Sequence, residues 1–228
     1  MKYQLTVLAL AAAFTAASAQ SAVVSGLYNT GVGVGGAALA AGDGQQDGNY
    51  KVGSSNLSGI VAGAPTYTYY NGAYAAENAS SRWIAYSGSP FVGVGSFSAS
   101  TTFDLTGYQP GTASITGNWG VDNEGEIFLN GVSTGITLTG IVVGNFNVLH
   151  SFTIGSGFVA GINTLTFAVY DGGSPAAVRL DNAVLTATAT VTAVPDAATW
   201  TLMIGGFGLV GTAMRRRLKA QLNYCGTA

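Results

Sequence analysis

The chain has 228 residues, of which 34 are glycine and only 8% are charged. Residues 20–194 carry nine acidic and three basic side chains, a formal charge of −6, and this acidity excludes nucleic acid, whose recognition needs a basic surface. The single cysteine, Cys225, allows no intramolecular disulfide, so a fold of this chain must depend on its apolar core.

The N-terminus has the pattern of a secretory signal peptide. Lys2 provides a positive charge, residues 5–14 form an apolar run that is short for a membrane span, and Ala17-Ser18-Ala19 is a small-residue cleavage site. We therefore predict a signal peptide over residues 1–19 and an exported protein that begins at Gln20.

Residues 20–192 show no helical periodicity. Short runs rich in β-branched and aromatic residues recur between glycine and asparagine turns. The predicted strands cover residues 24–28, 66–70, 95–105, 112–119, 125–132, 146–154, 162–170 and 177–191. Asn130-Gly131 is a typical hairpin turn, whereas the glycine-rich residues 31–48 are predicted to form a loop. Evenly spaced strands without intervening helices predict an all-β domain, an antiparallel β-sandwich.

Aromatic side chains provide the candidate ligand-binding residues of this domain. The predicted aromatic edge of Tyr67, Tyr69 and Tyr70 can contact a glycan. Trp83 can stack on a sugar face, although the apolar Ile84 beside it favours a place in the core, and Trp119 has the same two interpretations. Arg179 is a further ligand candidate, or it pairs with Asp181 two residues later on the same strand face.

Metal binding and catalysis have few candidate residues. Asp122, Asn123 and Glu124 suit a structural calcium ion, which takes six to eight oxygen ligands, but they are also ordinary turn residues. His150 is the only histidine, so a histidine metal cluster is impossible. Glu124 and Glu126 could form the carboxylate pair of a glycoside hydrolase, but a solvated strand end explains them better. We predict that the protein is not an enzyme.

The C-terminal region contains an uncharged stretch followed by basic residues. Residues 197–214 would form a helix of roughly 27 Å, close to the roughly 30 Å of a bilayer core. Arg215, Arg216, Arg217 and Lys219 then mark the cytoplasmic side. We predict a transmembrane helix over residues 197–214 with the N-terminal domain outside the membrane, and a short cytoplasmic tail over residues 220–228.

Residues 193–219 resemble a PEP-CTERM sorting signal. The residues that carry the resemblance are Pro195, Asp196, Trp200, Gly206, Phe207, Gly208, Gly211, Arg215, Arg216 and Arg217. The family's Pro-Glu-Pro motif is replaced here by Pro195-Asp196-Ala197. The resemblance implies an envelope or extracellular protein whose anchor is removed by exosortase, a membrane-embedded processing enzyme. The alternative is an ordinary membrane anchor that stays uncut.

The preceding domain resembles the galactose-binding-type jelly rolls found in such proteins, which are close to carbohydrate-binding modules. The resemblance depends on the order of short pieces such as 117–123, 129–131 and 157–165. It implies a non-catalytic exported protein with a structural or adhesive role in an exopolysaccharide or biofilm matrix, where extracellular polysaccharide is the partner. One alternative is a lectin-like module with a defined glycan ligand, and a second is an extracellular glycoside hydrolase.

Overall fold

The protein is described by a computed structural model that covers residues 20–57, 59–89, 95–173, 175–190 and 197–224. The chain divides into two units, Met1–Thr190 and Val191–Ala228, which are considered separately. The predicted signal peptide and the sorting-signal residues Pro195 and Asp196 lie outside the described residues. Of the predicted tail, the last four residues also lie outside them.

The described residues of the first unit form an antiparallel β-structure of eleven strands. The strands are β1 (Ser21–Val23), β2 (Gln46–Ser55), β3 (Pro65–Thr68), β4 (Ile84–Ala85), β5 (Gly95–Asp104), β6 (Tyr108–Asp122), β7 (Glu124–Leu129), β8 (Val132–Leu138), β9 (His150–Ile154), β10 (Ile162–Asp171) and β11 (Ala177–Ala189). They follow the order β8-β7-β10-β5-β2-β3-β4-β11-β6-β9, and β1 pairs with β11. The predicted all-β antiparallel fold is confirmed.

Several predicted boundaries differ from the structure. Strand β2 begins at Gln46, inside the segment predicted as a loop, because pairing with β3 and β5 overrides its glycine content. The predicted strand 146–154 instead starts with a short helix, α1 (Gly144–Asn147), before β9. Asn145 stabilises this helical turn because its side-chain amide donates hydrogen bonds to the carbonyl oxygens of Asn123 and Gly140, at 2.7 and 2.8 Å.

The predicted turn at Asn130-Gly131 joins β7 to β8. Both residues have positive φ, 54° and 78°, as this turn type requires, so the prediction is confirmed. The side chain of Asn130 also accepts a hydrogen bond from the Thr164 amide at 2.9 Å and donates one to the Gly157 carbonyl at 2.9 Å. The hairpin turn is therefore tied to the start of β10.

The core of the unit follows the alternation of its strands. On β10, which lies between β5 and β7, Leu165, Phe167 and Val169 are fully buried. Trp119 on β6 is buried with them, with its ring centroid 6.0 Å from that of Phe167. A smaller cluster contains Tyr69, Tyr74, Trp83, Ala85 and Ala177. This second cluster lies beneath the loops that form the candidate site.

The described part of the second unit is the helix α2 (Ala197–Tyr224). It carries Gly206, Phe207, Gly208, Gly211, Arg215 and Arg216 of the predicted sorting signal, and its range includes Trp200 and Arg217. Among the described residues, no helix combines the length and the apolar character needed to cross a bilayer. The structure therefore does not support the transmembrane helix predicted over residues 197–214, where glycine and threonine interrupt the apolar side chains.

Candidate functional site

An open cleft of about 560 Å³ lies where the loop before β2 meets the loop between β3 and β4. Its lining residues are Ala41, Gly42, Asp43, Tyr70, Ala76, Glu77 and Arg82. We refer to it as the Tyr70 cleft, because Tyr70 is its aromatic side chain and is 39% exposed. The cleft combines an exposed ring with two acidic groups and one basic group.

Tyr70 is held on two sides. Its backbone amide donates to a carboxylate oxygen of Asp43 at 2.8 Å, which links the two loops. Its ring makes an edge-to-face contact with the buried Tyr74 ring, with centroids 6.4 Å apart and planes at 84°. Edge-to-face contacts of this kind favour one ring orientation. The exposed ring is therefore presented by a supported backbone and a packed neighbour.

Glu77 and Arg82 are fixed by backbone groups. Glu77 accepts a hydrogen bond from the Trp83 amide at 2.9 Å, and its second oxygen lies 3.5 Å from Nε of Arg82. Arg82 donates to the carbonyl oxygens of Leu39 at 3.2 Å and Asn78 at 2.5 Å. Burial raises the pKa of Glu77, although the Trp83 amide and Arg82 both act to lower it.

Arg179 supports the loop that carries these side chains. Its guanidinium is almost completely buried, at 1% exposure, on β11. Nε donates to the Ser81 hydroxyl at 2.8 Å, Nη1 donates to the Ala76 carbonyl at 2.7 Å, and Nη2 lies 3.6 Å from a carboxylate oxygen of Asp181. Burial lowers the pKa of Arg179, while Asp181 opposes this shift. Arg179 thus connects β11 to the loop of residues 75–81.

Asp181 completes this connection from the same strand face. It accepts hydrogen bonds from the side-chain amide of Asn78 at 2.8 Å and from the Ser80 hydroxyl at 3.0 Å. Burial acts to raise the pKa of Asp181, but hydrogen bonds from Asn78, Ser81 and Ser80, together with the charge of Arg179, outweigh it and leave the pKa lowered. The predicted pairing of Arg179 with Asp181 therefore occurs and positions the loop.

The five predicted ligand residues, all of which the structure describes, do not share one surface. Tyr70 lines the cleft, Tyr67 is half-buried on β3, and Tyr69 is buried in the smaller core cluster. Trp83 is fully buried and donates from Nε1 to the Ala75 carbonyl at 2.9 Å, so its ring offers no face to a sugar. Arg179 is buried as described above. The aromatic edge predicted from the sequence is therefore reduced to Tyr70.

The other cleft residues were missed because they are distant in sequence. Asp43 lies in a segment predicted as a glycine-rich loop, and Glu77 and Arg82 lie in a loop between two short strands. One signal was available, since charged residues are scarce in this chain and Glu77 and Arg82 closely follow the tyrosine-rich segment. The scarcity of charged residues alone does not show which of these side chains come together, because the cleft depends on the contact between Asp43 and Tyr70, which are 27 residues apart.

The three predicted calcium ligands are directed to different partners. Asp122 accepts from the Tyr74 hydroxyl at 2.9 Å, Asn123 accepts from the Gly172 amide at 2.9 Å, and Glu124 accepts from the Gly140 amide at 2.6 Å. A calcium site needs these oxygens to converge on one point. Over the part of the chain that the structure describes, no group of three or more His, Cys, Asp or Glu side chains is placed to hold a metal ion.

The residues weighed for catalysis also have structural partners. A ring nitrogen of His150 lies 2.9 Å from the Gly144 carbonyl, next to α1. Glu126 accepts a hydrogen bond from the Ser133 hydroxyl across the β7–β8 hairpin.

Asp122 forms a nearly buried acidic pair with Asp171. The pKa of Asp122 is raised to about 6, mainly by burial and also by the charge of Asp171, although hydrogen bonds from Tyr74 and Asn123 act to lower it. Burial also raises the pKa of Asp171. The acidic pair is connected to the cleft through Tyr74. The hydroxyl of Tyr74 donates a hydrogen bond to Asp122, and its ring contacts Tyr70 in the cleft.

We expect the raised pKa of Asp122 to make the domain less stable as the pH rises. The folded state retains a proton up to about pH 6, whereas the unfolded chain loses it near pH 4, so the free energy of unfolding falls between these values. The effect of this group amounts to up to about 3 kcal/mol. Denaturant unfolding at several pH values should show that, as the pH rises, the free energy of unfolding falls less for Asp122→Asn than for the wild type. Equal slopes for the two proteins would contradict the assignment.

No family model matches the chain, and no curated protein matches it. Among solved structures, the CBM36-1 domain of a multidomain xylanase from the hindgut metagenome of Trinervitermes trinervoides has 12% identity and a TM-score of 0.28, over 65% of this chain and 93% of that chain. CBM35 from Paenibacillus barcinonensis has 15% identity and a TM-score of 0.31, over 65% and 100%. An apo-form cyclase from Fischerella sp. has 11% identity and a TM-score of 0.41, over 77% and 100%. Similarities this weak carry no conclusion about function.

Proposed function

We propose that the β-domain is a non-catalytic carbohydrate-binding module and that its ligand lies in the Tyr70 cleft. The observation that carries the proposal is the exposed Tyr70 ring beside Asp43, Glu77 and Arg82 in an open cleft. A sugar ring has apolar C–H faces that pack on an aromatic ring, and hydroxyl groups that bond to carboxylate and guanidinium groups. The cleft supplies both kinds of contact side by side.

The rigidity of the cleft supports this function. A sugar has little apolar area, so a binding site that must first become ordered would lose much of its affinity. Here the Tyr70 amide is bonded to Asp43, and the Glu77 carboxylate is bonded to the Trp83 amide. These contacts place the ligand-facing groups before a ligand arrives.

The same contacts favour binding over hydrolysis. A glycosidase needs one carboxyl group free to protonate the leaving oxygen and a second one across the scissile bond. In the Tyr70 cleft, one oxygen of Glu77 accepts from the Trp83 amide and the other lies beside Arg82. We propose that Glu77 maintains the shape and charge of the cleft.

We further propose an exported protein that holds polysaccharide in an extracellular or biofilm matrix. The sequence features that support this are the predicted signal peptide of residues 1–19 and the resemblance of residues 193–219 to a sorting signal processed by exosortase. Membrane anchoring through residues 197–214 and a structural calcium ion remain predictions. Weak binding at each cleft would suffice in a matrix, because many copies on one surface raise the effective concentration.

Tyr70→Ala is expected to weaken polysaccharide binding at least about fivefold, since a central aromatic contact is worth more than about 1 kcal/mol. Its free energy of unfolding should change by about 1 kcal/mol or less, because the ring is partly exposed. Affinity electrophoresis in gels that contain neutral, cationic or anionic polysaccharides measures the binding, and denaturant unfolding measures the stability.

Tyr170→Ala is the matched control for this experiment. Tyr170 is 45% exposed on β10 and does not line the cleft, so its loss should leave binding unchanged. Equal loss of binding in both variants would place the ligand elsewhere. A wild-type protein that is retarded by none of the polysaccharides would overturn the proposed function.

A further inference from the structure

The Tyr70 cleft carries more negative than positive charge. Asp43 and Glu77 oppose a single basic residue, Arg82, so the formal charge of the lining is −1. Asp43 is exposed at the mouth of the cleft, whereas Glu77 and Arg82 are half-buried and lie together. The charge that a ligand meets first is therefore the carboxylate of Asp43.

Arg82 is poorly placed to attract an anion. Its Nε and Nη1 atoms already donate hydrogen bonds to the carbonyl oxygens of Leu39 and Asn78. Its positive charge is balanced by Glu77, with 3.5 Å between Nε and the nearer carboxylate oxygen. An anionic sugar would therefore have to compete with Glu77 for the charge of this guanidinium.

Asp43 and Tyr70 together form a setting suited to a cation. One oxygen of Asp43 accepts from the Tyr70 amide, which places the carboxylate next to the exposed ring. An ammonium group attached to a sugar would gain a charge-assisted hydrogen bond from the carboxylate and a cation–π contact from the ring. A neutral substituent at the same position would gain neither.

The charge of the whole domain acts in the same direction. Of its three basic residues, Arg179 is buried and Arg82 is paired with Glu77, which leaves Lys51 exposed on β2. Nine acidic residues give residues 20–194 a formal charge of −6. Such a field attracts a polycation and repels a polyanion such as a uronate polymer.

We infer that the Tyr70 cleft selects a glycan whose sugars carry a free amine, protonated to ammonium. This inference rests on the proposed function, since it names the class of glycan that the same cleft would take. Carbohydrate binding and the preference for amino sugars can fail separately. A cleft that binds neutral sugars more tightly would agree with the proposed function and contradict the proposed selectivity.

The experiment compares two probes that differ in charge: a glucosamine hexamer and the N-acetylglucosamine hexamer of the same linkage. Titration calorimetry of the full-length protein at mildly acidic pH, where the amine is protonated, should give tighter binding of the glucosamine hexamer by about fivefold, which corresponds to about 1 kcal/mol. Added salt should reduce this preference, because it screens the exposed carboxylate.

Asp43→Asn tests the residue that we assign to the ammonium group. The asparagine side-chain oxygen can still accept from the Tyr70 amide, so the cleft should keep its shape while it loses the charge. The preference for the glucosamine hexamer should disappear, and binding of the acetylated hexamer should not change. Asp104→Asn, at an exposed acid on β5 outside the cleft, should leave both affinities unaltered.

Two results would overturn the inference. Equal affinity of the wild type for the two hexamers would remove the cation selectivity and leave a glycan site. A preference that survives in Asp43→Asn would show that the ammonium group is not recognised by Asp43, so the cleft would not be the source of the selectivity. Binding of neither hexamer, nor of any neutral or anionic glycan, would instead overturn the proposed function itself, and the selectivity with it.

Discussion

Trp119→Ala is expected to lower the free energy of unfolding by about 3–5 kcal/mol, the cost of truncating a large core aromatic. Trp119 is 1% exposed on β6, packs near Phe167 and lies opposite Leu180 of β11 in the sheet. Removal of the indole would leave a cavity in the core beside Phe167. Denaturant unfolding followed by circular dichroism measures the change.

Two control variants separate burial from binding at this position. Trp119→Phe should cost less than the alanine variant, because a phenyl ring fills part of the cavity. Val132→Ala, at a side chain that is 67% exposed on β8, should change stability by about 0.5 kcal/mol or less. Folded Trp119→Ala protein should still bind polysaccharide. Unchanged stability with lost binding would mean that Trp119 contacts the ligand.

The fold could be predicted wherever local pattern and tertiary pairing agree. On β10, three buried apolar residues alternate with half-buried neighbours, as the sequence pattern predicts for a strand with one core face. The Asn130-Gly131 turn is equally local, since it depends on two residues that tolerate positive φ. The prediction was wrong where pairing partners override composition, as in β2, or where one asparagine side chain holds a helical turn, as in α1.

The site was less predictable because it is made by contacts between distant segments. Tyr67 is half-buried on β3, whereas Tyr69 and Tyr70 follow the end of that strand at Thr68, and Tyr69 is buried while Tyr70 is exposed. Treating the three tyrosines as one edge assumed a strand that continues to Tyr70. The contacts of Asp43 with Tyr70 and of Asp122 with Tyr74 span 27 and 48 residues. No spacing rule in the sequence reports pairs of that kind.

Arg179 differs from the cleft residues because its role is to position them. Its guanidinium reaches Ser81, Ala75 and Ala76 on the loop, and Asp181 on its own strand. The planar fork of arginine presents five donors in a fixed geometry to separated acceptors, whereas the ammonium of lysine is a compact charge with three donors. Sequence reasoning selected Arg179 as a ligand candidate, whereas the structure gives its hydrogen bonds to the loop that carries Glu77 and Arg82.

Arg179→Met is expected to destabilise the domain by about 3–5 kcal/mol, because it leaves the nearly buried Asp181 without its partner charge. In a double-mutant cycle with Asp181→Asn, the double variant should be less destabilised than the sum of the single variants by about 1–3 kcal/mol. Arg179→Lys keeps the charge and should recover part of the stability. Its polysaccharide binding, measured well below the unfolding transition, should nevertheless stay weak, because the loop carbonyl groups lose their hydrogen bonds with the guanidinium. Wild-type binding in folded Arg179→Lys would mean that the loop keeps its shape without this contact, and the positioning role would then belong to Asp181, Asn78 and Ser80 alone.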